Sequence, residues 1–460
     1  MEQKTGSSLF LTDAEKTAGP KDLFFIWFAA NMGVLGIVYG AIIVGFGLSF
    51  FQSMLVAIIG PLSFLLVGLV SLSGRDAGAT TFVLSRAAYG FRGNYIPAMI
   101  GWITQIGWLT VNVSTGTLTI LALLSQFGIG AGTTTTIIGL IIFAGMVIVS
   151  SFFSQERLVK MQTFFTYVFG GLTLLVIAML IPSTNWGQLL SMESGSWVTG
   201  FLPALVFCMI GTGMTWTKVA ADYSRFQKKS NSSLSIMASV TLGAAIPLII
   251  IIGAGVLLAS YVPDLASASN PISAIIDSGA LPHWVVVLYT LAALGGLTPM
   301  CFIGLKSSGL IMKSFNIEMK ESTVIVIHSL IIIVIPIYVL IVSNSFMSFF
   351  QAFLGVLGIG LAAWVAVFAV DYLCLRKNGY DAKLLEDEKA NPVNRKGVIS
   401  WIVGVLVGAM FTKSSLYTGL FAVGIFAESN LGVFFTLVTS AMLYLILIQF
   451  GKKDDQFRRN

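Results

Sequence analysis

Residues 24–44 read FFIWFAANMGVLGIVYGAIIV, and residues 199–219 read TGFLPALVFCMIGTGMTWTKV. Either segment is long and apolar enough to cross a bilayer core, which takes about 20 residues of helix. Both are interrupted near the middle, the first by Ala30-Asn31-Met32-Gly33 and the second by Gly211-Thr212-Gly213. Glycine inside a helix costs conformational entropy and exposes backbone groups. In lipid those groups must be buried in protein or line a cavity. Glycine breaks at corresponding places in two halves of a chain therefore point to a binding site made of discontinuous helices. Glycines that serve only close helix packing look the same one at a time. The matched position is what favours broken helices.

Apolar windows of spanning length recur near 48–72, 95–124, 133–154, 161–182, 233–260, 284–305, 322–343, 347–375, 397–412 and 430–450. With the two broken segments, which become spans 1 and 6, they make about twelve transmembrane helices in an all-α, polytopic chain. Five is an odd number, so spans 6–10 enter from the side opposite to spans 1–5, as a five-plus-five inverted repeat requires. The expected organisation is a tail over 1–23, a first repeat over 24–182 and a second over 199–375. A polar linker follows over 376–396, then spans 11 and 12 over 397–450 and a closing tail over 451–460.

Composition leads to the same solvent. Charged residues are 10% of the 460 and apolar residues 56%, whereas a soluble globular chain carries about 25% charged residues. Mean hydropathy is +0.90. No water-soluble fold covers that much apolar surface, so the lipid bilayer is the expected partner. The net charge of +6 would suit nucleic acid only if cations clustered among stacking aromatics, and they do not. With the first tail inside, 25 of the 26 Lys and Arg, Arg86 and Lys218 among them, fall on one side, and only Lys413 falls outside. A miscounted span would invert every later loop and scramble that pattern. Both termini are thus expected in the cytoplasm, with the protein in the plasma membrane. The first twenty residues lack an apolar signal core, so the first span is expected to do the targeting. Cys208, Cys301 and Cys374 lie in apolar segments without metal-type spacing.

Ionisable groups inside a span are functional candidates by default, and no carboxylate falls mid-span here. Asp222 and Asp371 are expected at the cytoplasmic ends of spans 6 and 10, within reach of water. His328, in span 9, is expected to be packed or interfacial. No metalloprotease, hydrolase or P-loop pattern occurs, so neither an enzyme nor a cofactor or metal centre is expected. Neutral polar groups remain, which suits binding and translocation of a small neutral solute. In span 3, Gln105, Trp108, Asn112 and Thr115 recur at steps of three and four and share one helical face. An indole beside carboxamides suits a flat heterocycle, the ring stacking and the amides meeting its edge. A polar helix–helix seam would show the same spacing. In span 8, Leu294-Gly295-Gly296-Leu297-Thr298-Pro299 places a proline that frees carbonyls near Leu294 and Gly295. Those carbonyls either bind something or mark a kink.

Three motifs make the chain resemble the nucleobase–cation symporter family, in its purine–cytosine permease-like branch. They are Gly47-Leu48-Ser49-Phe50 with VLSRAAYGFRGNYIPA at 83–98, Trp216 with Ala220-Ala221-Asp222-Tyr223-Ser224-Arg225-Phe226, and Leu416-Tyr417-Thr418-Gly419. The resemblance covers nearly the whole length. It implies a leucine-transporter-like fold working by alternating access, with two helices added at the C-terminus. A monomer is the expected working unit. It also implies that Trp108 stacks the substrate and that Gln105 and Asn112 bind its edge. Backbone at Asn31–Gly33 and Thr212–Gly213, together with Thr298, would complete the site. A coupling cation would sit at Ala30, Gly33 and Thr298.

This chain departs from the family pattern at three places. Gly213 stands where many members carry a second aromatic, and span 8 lacks the usual asparagine. Leu291, Ala292 and Ala293 offer none of the hydroxyls of sodium-coupled members. Sodium and protons both stay open as coupling ions. The implied substrate is cytosine, a purine or a related neutral heterocycle, with allantoin, a hydantoin or a pyrimidine vitamin precursor as alternatives. A non-transporting ligand sensor on the same fold is the alternative of a different class.

Overall fold

The computed structural model describes residues 10–457 except 151, 269, 280, 281, 318, 344, 345, 378, 415, 416 and 430. Leu416 of the third motif lies outside the described residues, as do Lys4, Arg458 and Arg459. Among the described residues ten helices are long and apolar enough to cross a membrane. The pair Pro20–Ala30 and Leu35–Val44, bent by 65°, makes an eleventh. Helix Arg395–Met410 stands in the place of span 11, packed on spans 10 and 12. Its 16 residues give about 24 Å, short of a core of about 30 Å.

Span 1 starts at Pro20, where the Asp22 carboxylate accepts from the Gly19 N–H at 2.8 Å. A carboxylate at a helix N-terminus satisfies an otherwise orphaned donor. The first half ends at Ala30 and the second restarts at Leu35. Span 6 (Trp197–Ser224) is broken at Thr212, whose φ of −115° and ψ of −111° leave the helical region. The second half of span 1 reaches this break, the Tyr39 hydroxyl donating to the Gly211 carbonyl at 3.2 Å.

Span 8 (His283–Lys313) presses on the first break. A Cβ added at Gly296 would lie 2.3 Å from the Met32 carbonyl oxygen, so only glycine allows this approach. The carbonyl of Leu294, expected to be freed by Pro299, accepts the Thr298 hydroxyl at 2.7 Å. That carbonyl is thus satisfied from within its own helix.

Three expectations fail at the cation-rich end. The 83–98 connection contains a helix, Thr81–Tyr89, with all nine residues buried. Arg86 is therefore not a loop cation. It is 1% exposed and donates to the carbonyls of Leu385 and Ser314, both at 2.8 Å. Ser314 caps the C-terminus of span 8, where a cation complements the helix dipole. Burial lowers the Arg86 pKa to about 10, which leaves it protonated at neutral pH.

Asp222 is buried rather than water-accessible and accepts from the Thr81 N–H at 3.0 Å and the Thr81 hydroxyl at 3.1 Å. Asp371 is buried too, accepting from the Tyr444 hydroxyl at 2.8 Å and Arg376 Nε at 3.2 Å. The inserted helix covers the first carboxylate and span 12 (Gly432–Phe457) the second. Tyr444→Phe should lower stability by about 1.5–3 kcal/mol, the worth of a hydrogen bond to a charged group. The thermal midpoint of detergent-purified variant against wild type checks this. His328 is packed as expected, accepting from Trp102 Nε1 at 2.9 Å while Nδ1 meets the Val324 carbonyl at 2.7 Å.

Candidate substrate site

A cavity with about 560 Å³ of unfilled space, counted to its open rim, lies where the breaks of spans 1 and 6 meet span 3. The space open to the centre of a water molecule is only about 30 Å³, room for about two waters. The site is therefore narrow between its walls.

Span 3 (Tyr95–Ser125) contributes Gln105, Trp108 and Asn112 to one wall, and span 1 contributes Asn31, Gly33 and Tyr39. The steps of three and four that aligned the span 3 residues also turn them into one space. Thr115, next on that face, is not in the lining and gives its hydroxyl to the Val111 carbonyl at 2.8 Å. Asn112 Nδ2 donates back to the Trp108 carbonyl at 2.8 Å, which fixes the amide orientation. Asn112 Oδ1 and Gln105 Oε1 are then buried acceptors with no hydrogen-bond partner. Two such groups are expensive to leave unsatisfied. Both belong to residues that line the cavity. Asn31 Nδ2 likewise bonds the Trp27 carbonyl, at 2.8 Å.

Span 6 supplies the opposite wall through Gly211, Thr215, Trp216 and Lys218. Trp216 is a second indole in the lining, braced edge-on by Trp27 at 5.5 Å and 82°. Gly213, the position counted as the missing aromatic, faces elsewhere. Its N–H donates to the Ser63 hydroxyl at 3.1 Å, against span 2 (Phe50–Ala77). Thr212 turns the same way, its hydroxyl donating to the Cys208 carbonyl at 2.6 Å. Counting along the chain missed Trp216 because π and 3₁₀ turns replace regular helix between Ile210 and Val219.

Lys218, counted among the cations at the cytoplasmic end of span 6, is 1% exposed and lines the cavity. Its ammonium donates to the Thr215 carbonyl and lies 5.8 Å from the Trp216 ring centroid. The sidedness of cations hid it, since a lysine near a span end reads as interfacial.

Of the expected cation residues, Gly33 lines the cavity, whereas Ala30 is buried outside the lining and the Thr298 hydroxyl is spent on Leu294. A neighbouring apolar space bounded by Met32, Ala292 and Ala293 has hydroxyls only from Tyr289 and Thr173. Among the described residues no group of three or more His, Cys, Asp or Glu could hold a metal.

Comparison with known proteins gives this geometry a family. The family described as "Permease for cytosine/purines, uracil, thiamine, allantoin" matches residues 10–435. The chain belongs to this family. It is a multi-pass membrane permease by family and by its helices. The Bacillus subtilis (strain 168) protein named "Putative purine-cytosine permease YxlA" is 24% identical over 96% of this chain and 94% of its own length. The Saccharomyces cerevisiae purine-cytosine permease FCY2 is 28% identical over 60% of this chain and 51% of its own. The fold is that of Mhp1, a nucleobase-cation-symport-1 family transporter, solved in a closed conformation with bromovinylhydantoin bound. The TM-score is 0.77 at 17% identity, covering 97% of both chains. A sodium-coupled sialic acid symporter shares the fold more distantly, at TM-score 0.60 and 12% identity, over 94% of this chain and 91% of its own. The leucine-transporter-like architecture expected from the sequence is thereby established.

Proposed function

We propose that this permease imports a nucleobase or related heterocycle by alternating access, with Trp108 and Trp216 flanking the ring. The carrying observation is the pair of unpartnered acceptors, Gln105 Oε1 and Asn112 Oδ1, on the same cavity as the indoles. A heterocycle edge carries N–H donors in the plane that those oxygens need, and its face takes the indoles. The family description and the purine-cytosine permeases among its relatives support this class of substrate. A hydantoin is the second reading, favoured by the ligand held in the Mhp1 structure. Cation coupling is supported by the symporters that share the fold, with the ion left as sodium or proton. The one-sided Lys and Arg support cytoplasmic termini in the plasma membrane, and one chain supplies a whole cavity, as a working monomer needs.

Trp108→Ala should cut radiolabelled nucleobase uptake at least several-fold. A lost stack removes about 0.5–1.5 kcal/mol beyond the lost contact area. Uptake equal to wild type at matched expression would refute the site. Ligand binding to purified protein without any accumulation in vesicles would favour a sensor over a transporter.

A further inference from the structure

Lys218 has no place in the stacking-and-amide scheme, yet its burial is among the most complete in the protein. An ammonium has three N–H donors. One goes to the Thr215 carbonyl, and the Trp216 face lies beside the charge. Among the described residues no carboxylate comes within ion-pair distance of it. Asp222, one helical turn on, is held by Thr81 instead. A buried cation needs partners, and the space it borders is the candidate substrate site.

The two unpartnered amide oxygens in the lining ask for the opposite chemistry. Gln105 Oε1 and Asn112 Oδ1 accept, while the Asn112 and Asn31 amide nitrogens are already committed to backbone carbonyls. Lys218 is thus the strongest hydrogen-bond donor in the lining. We propose that Lys218 donates to a carbonyl oxygen of the bound heterocycle, so that the site selects carbonyl-bearing rings over amino-substituted rings of the same shape. The substrate class is an oxo-substituted heterocycle with ring N–H donors: oxygens to Lys218, N–H groups to Gln105 and Asn112. Such a ring satisfies both sets of unpaired groups, whereas a ring with only amino substituents offers Lys218 ring nitrogens but no carbonyl oxygen, and places an N–H donor where that oxygen would lie. A site built to hydrogen-bond one substituent rejects the analogue lacking it strongly, because its own buried groups are then unpaired.

This rests on the heterocycle reading above, and the test separates the two. Wild type, Lys218→Met, Lys218→Arg and Trp108→Ala are purified, and each is titrated with hypoxanthine, adenine, uracil and cytosine. Wild type should bind hypoxanthine at least tenfold tighter than adenine. Every carbonyl-bearing ring that wild type binds should lose at least tenfold in Lys218→Met, while adenine changes less than threefold. Lys218→Arg, which keeps a donor and the charge, should retain the preference. Adenine bound as tightly as hypoxanthine by wild type, or unchanged carbonyl-ring binding in Lys218→Met while Trp108→Ala weakens it, overturns the lysine assignment alone. Binding of none of the four rings overturns the heterocycle reading and this proposal with it. The wild-type comparison stands even where Lys218→Met fails to fold.

Discussion

Arg86→Glu should leave almost no folded protein. The guanidinium sits among acceptors, the Leu385 and Ser314 carbonyls, with the Phe91 ring 4.0 Å from its central carbon. A carboxylate there would face two carbonyl oxygens and the negative face of an aromatic ring with nothing donating to it. An uncompensated buried charge costs about 3–5 kcal/mol or more, comparable to the whole stability of many domains. Arg86→Met makes the informative contrast. It forfeits two charge-assisted hydrogen bonds, about 1.5–3 kcal/mol each, and a cation–π contact worth about 2 kcal/mol when desolvated. It also relieves a desolvation penalty of several kcal/mol. Those terms nearly balance, so methionine should be far milder than glutamate. Arg86→Lys should fall between, since an ammonium lacks the planar fork that spans both carbonyls. Fluorescence-detected size-exclusion profiles and thermal midpoints rank the variants. A monodisperse Arg86→Glu protein melting with wild type would refute this account.

The same arginine shows where sequence reading stops. The spans were legible because lipid demands long apolar helices, and the helix bounds fall close to the hydropathy windows. The span 3 face was legible because helical periodicity survives burial, and it brought Gln105, Trp108 and Asn112 to one cavity. The burial of Arg86 and Lys218 went unread for one shared reason. A cation near a span end normally reaches water, and only tertiary structure shows that helix Thr81–Tyr89 or a broken segment has enclosed it. Thr212, Gly213 and Thr298 were assigned to the site by position along the chain. Their donors turn instead to Cys208, Ser63 and Leu294. Side-chain direction in irregular backbone has no period to read.

The break in span 6 carries the second large effect. Gly213→Leu should abolish transport, and Gly213→Ala should already impair it. A Cβ at this position would lie 2.4 Å from Phe64 N, 2.4 Å from the Ser63 carbonyl carbon and 2.6 Å from Ser63 Oγ. Two of those atoms are backbone, which no rotamer change can move aside. They belong to the 3₁₀ turn of span 2, Gly60–Ser63, and the residue after it. Here the Ser63 hydroxyl also meets Thr212 Oγ1 at 3.2 Å. Any side chain must push spans 2 and 6 apart at the point where Gly211 and Thr215 form the cavity wall. Overpacking a close-packed interior typically costs about 1–3 kcal/mol, and an immovable backbone neighbour raises that. This crowding also explains the departure from the family pattern. An aromatic cannot occupy position 213 in this chain, and the indole that lines the cavity from span 6 is Trp216, on the next turn. Gly171→Leu is the matched control, since a Cβ there meets nothing within 4 Å. Uptake and thermal midpoint should be near wild type for Gly171→Leu and lost or sharply lowered for Gly213→Leu. Equal behaviour of the two variants would show that close approach of spans 2 and 6 is not what the glycine provides.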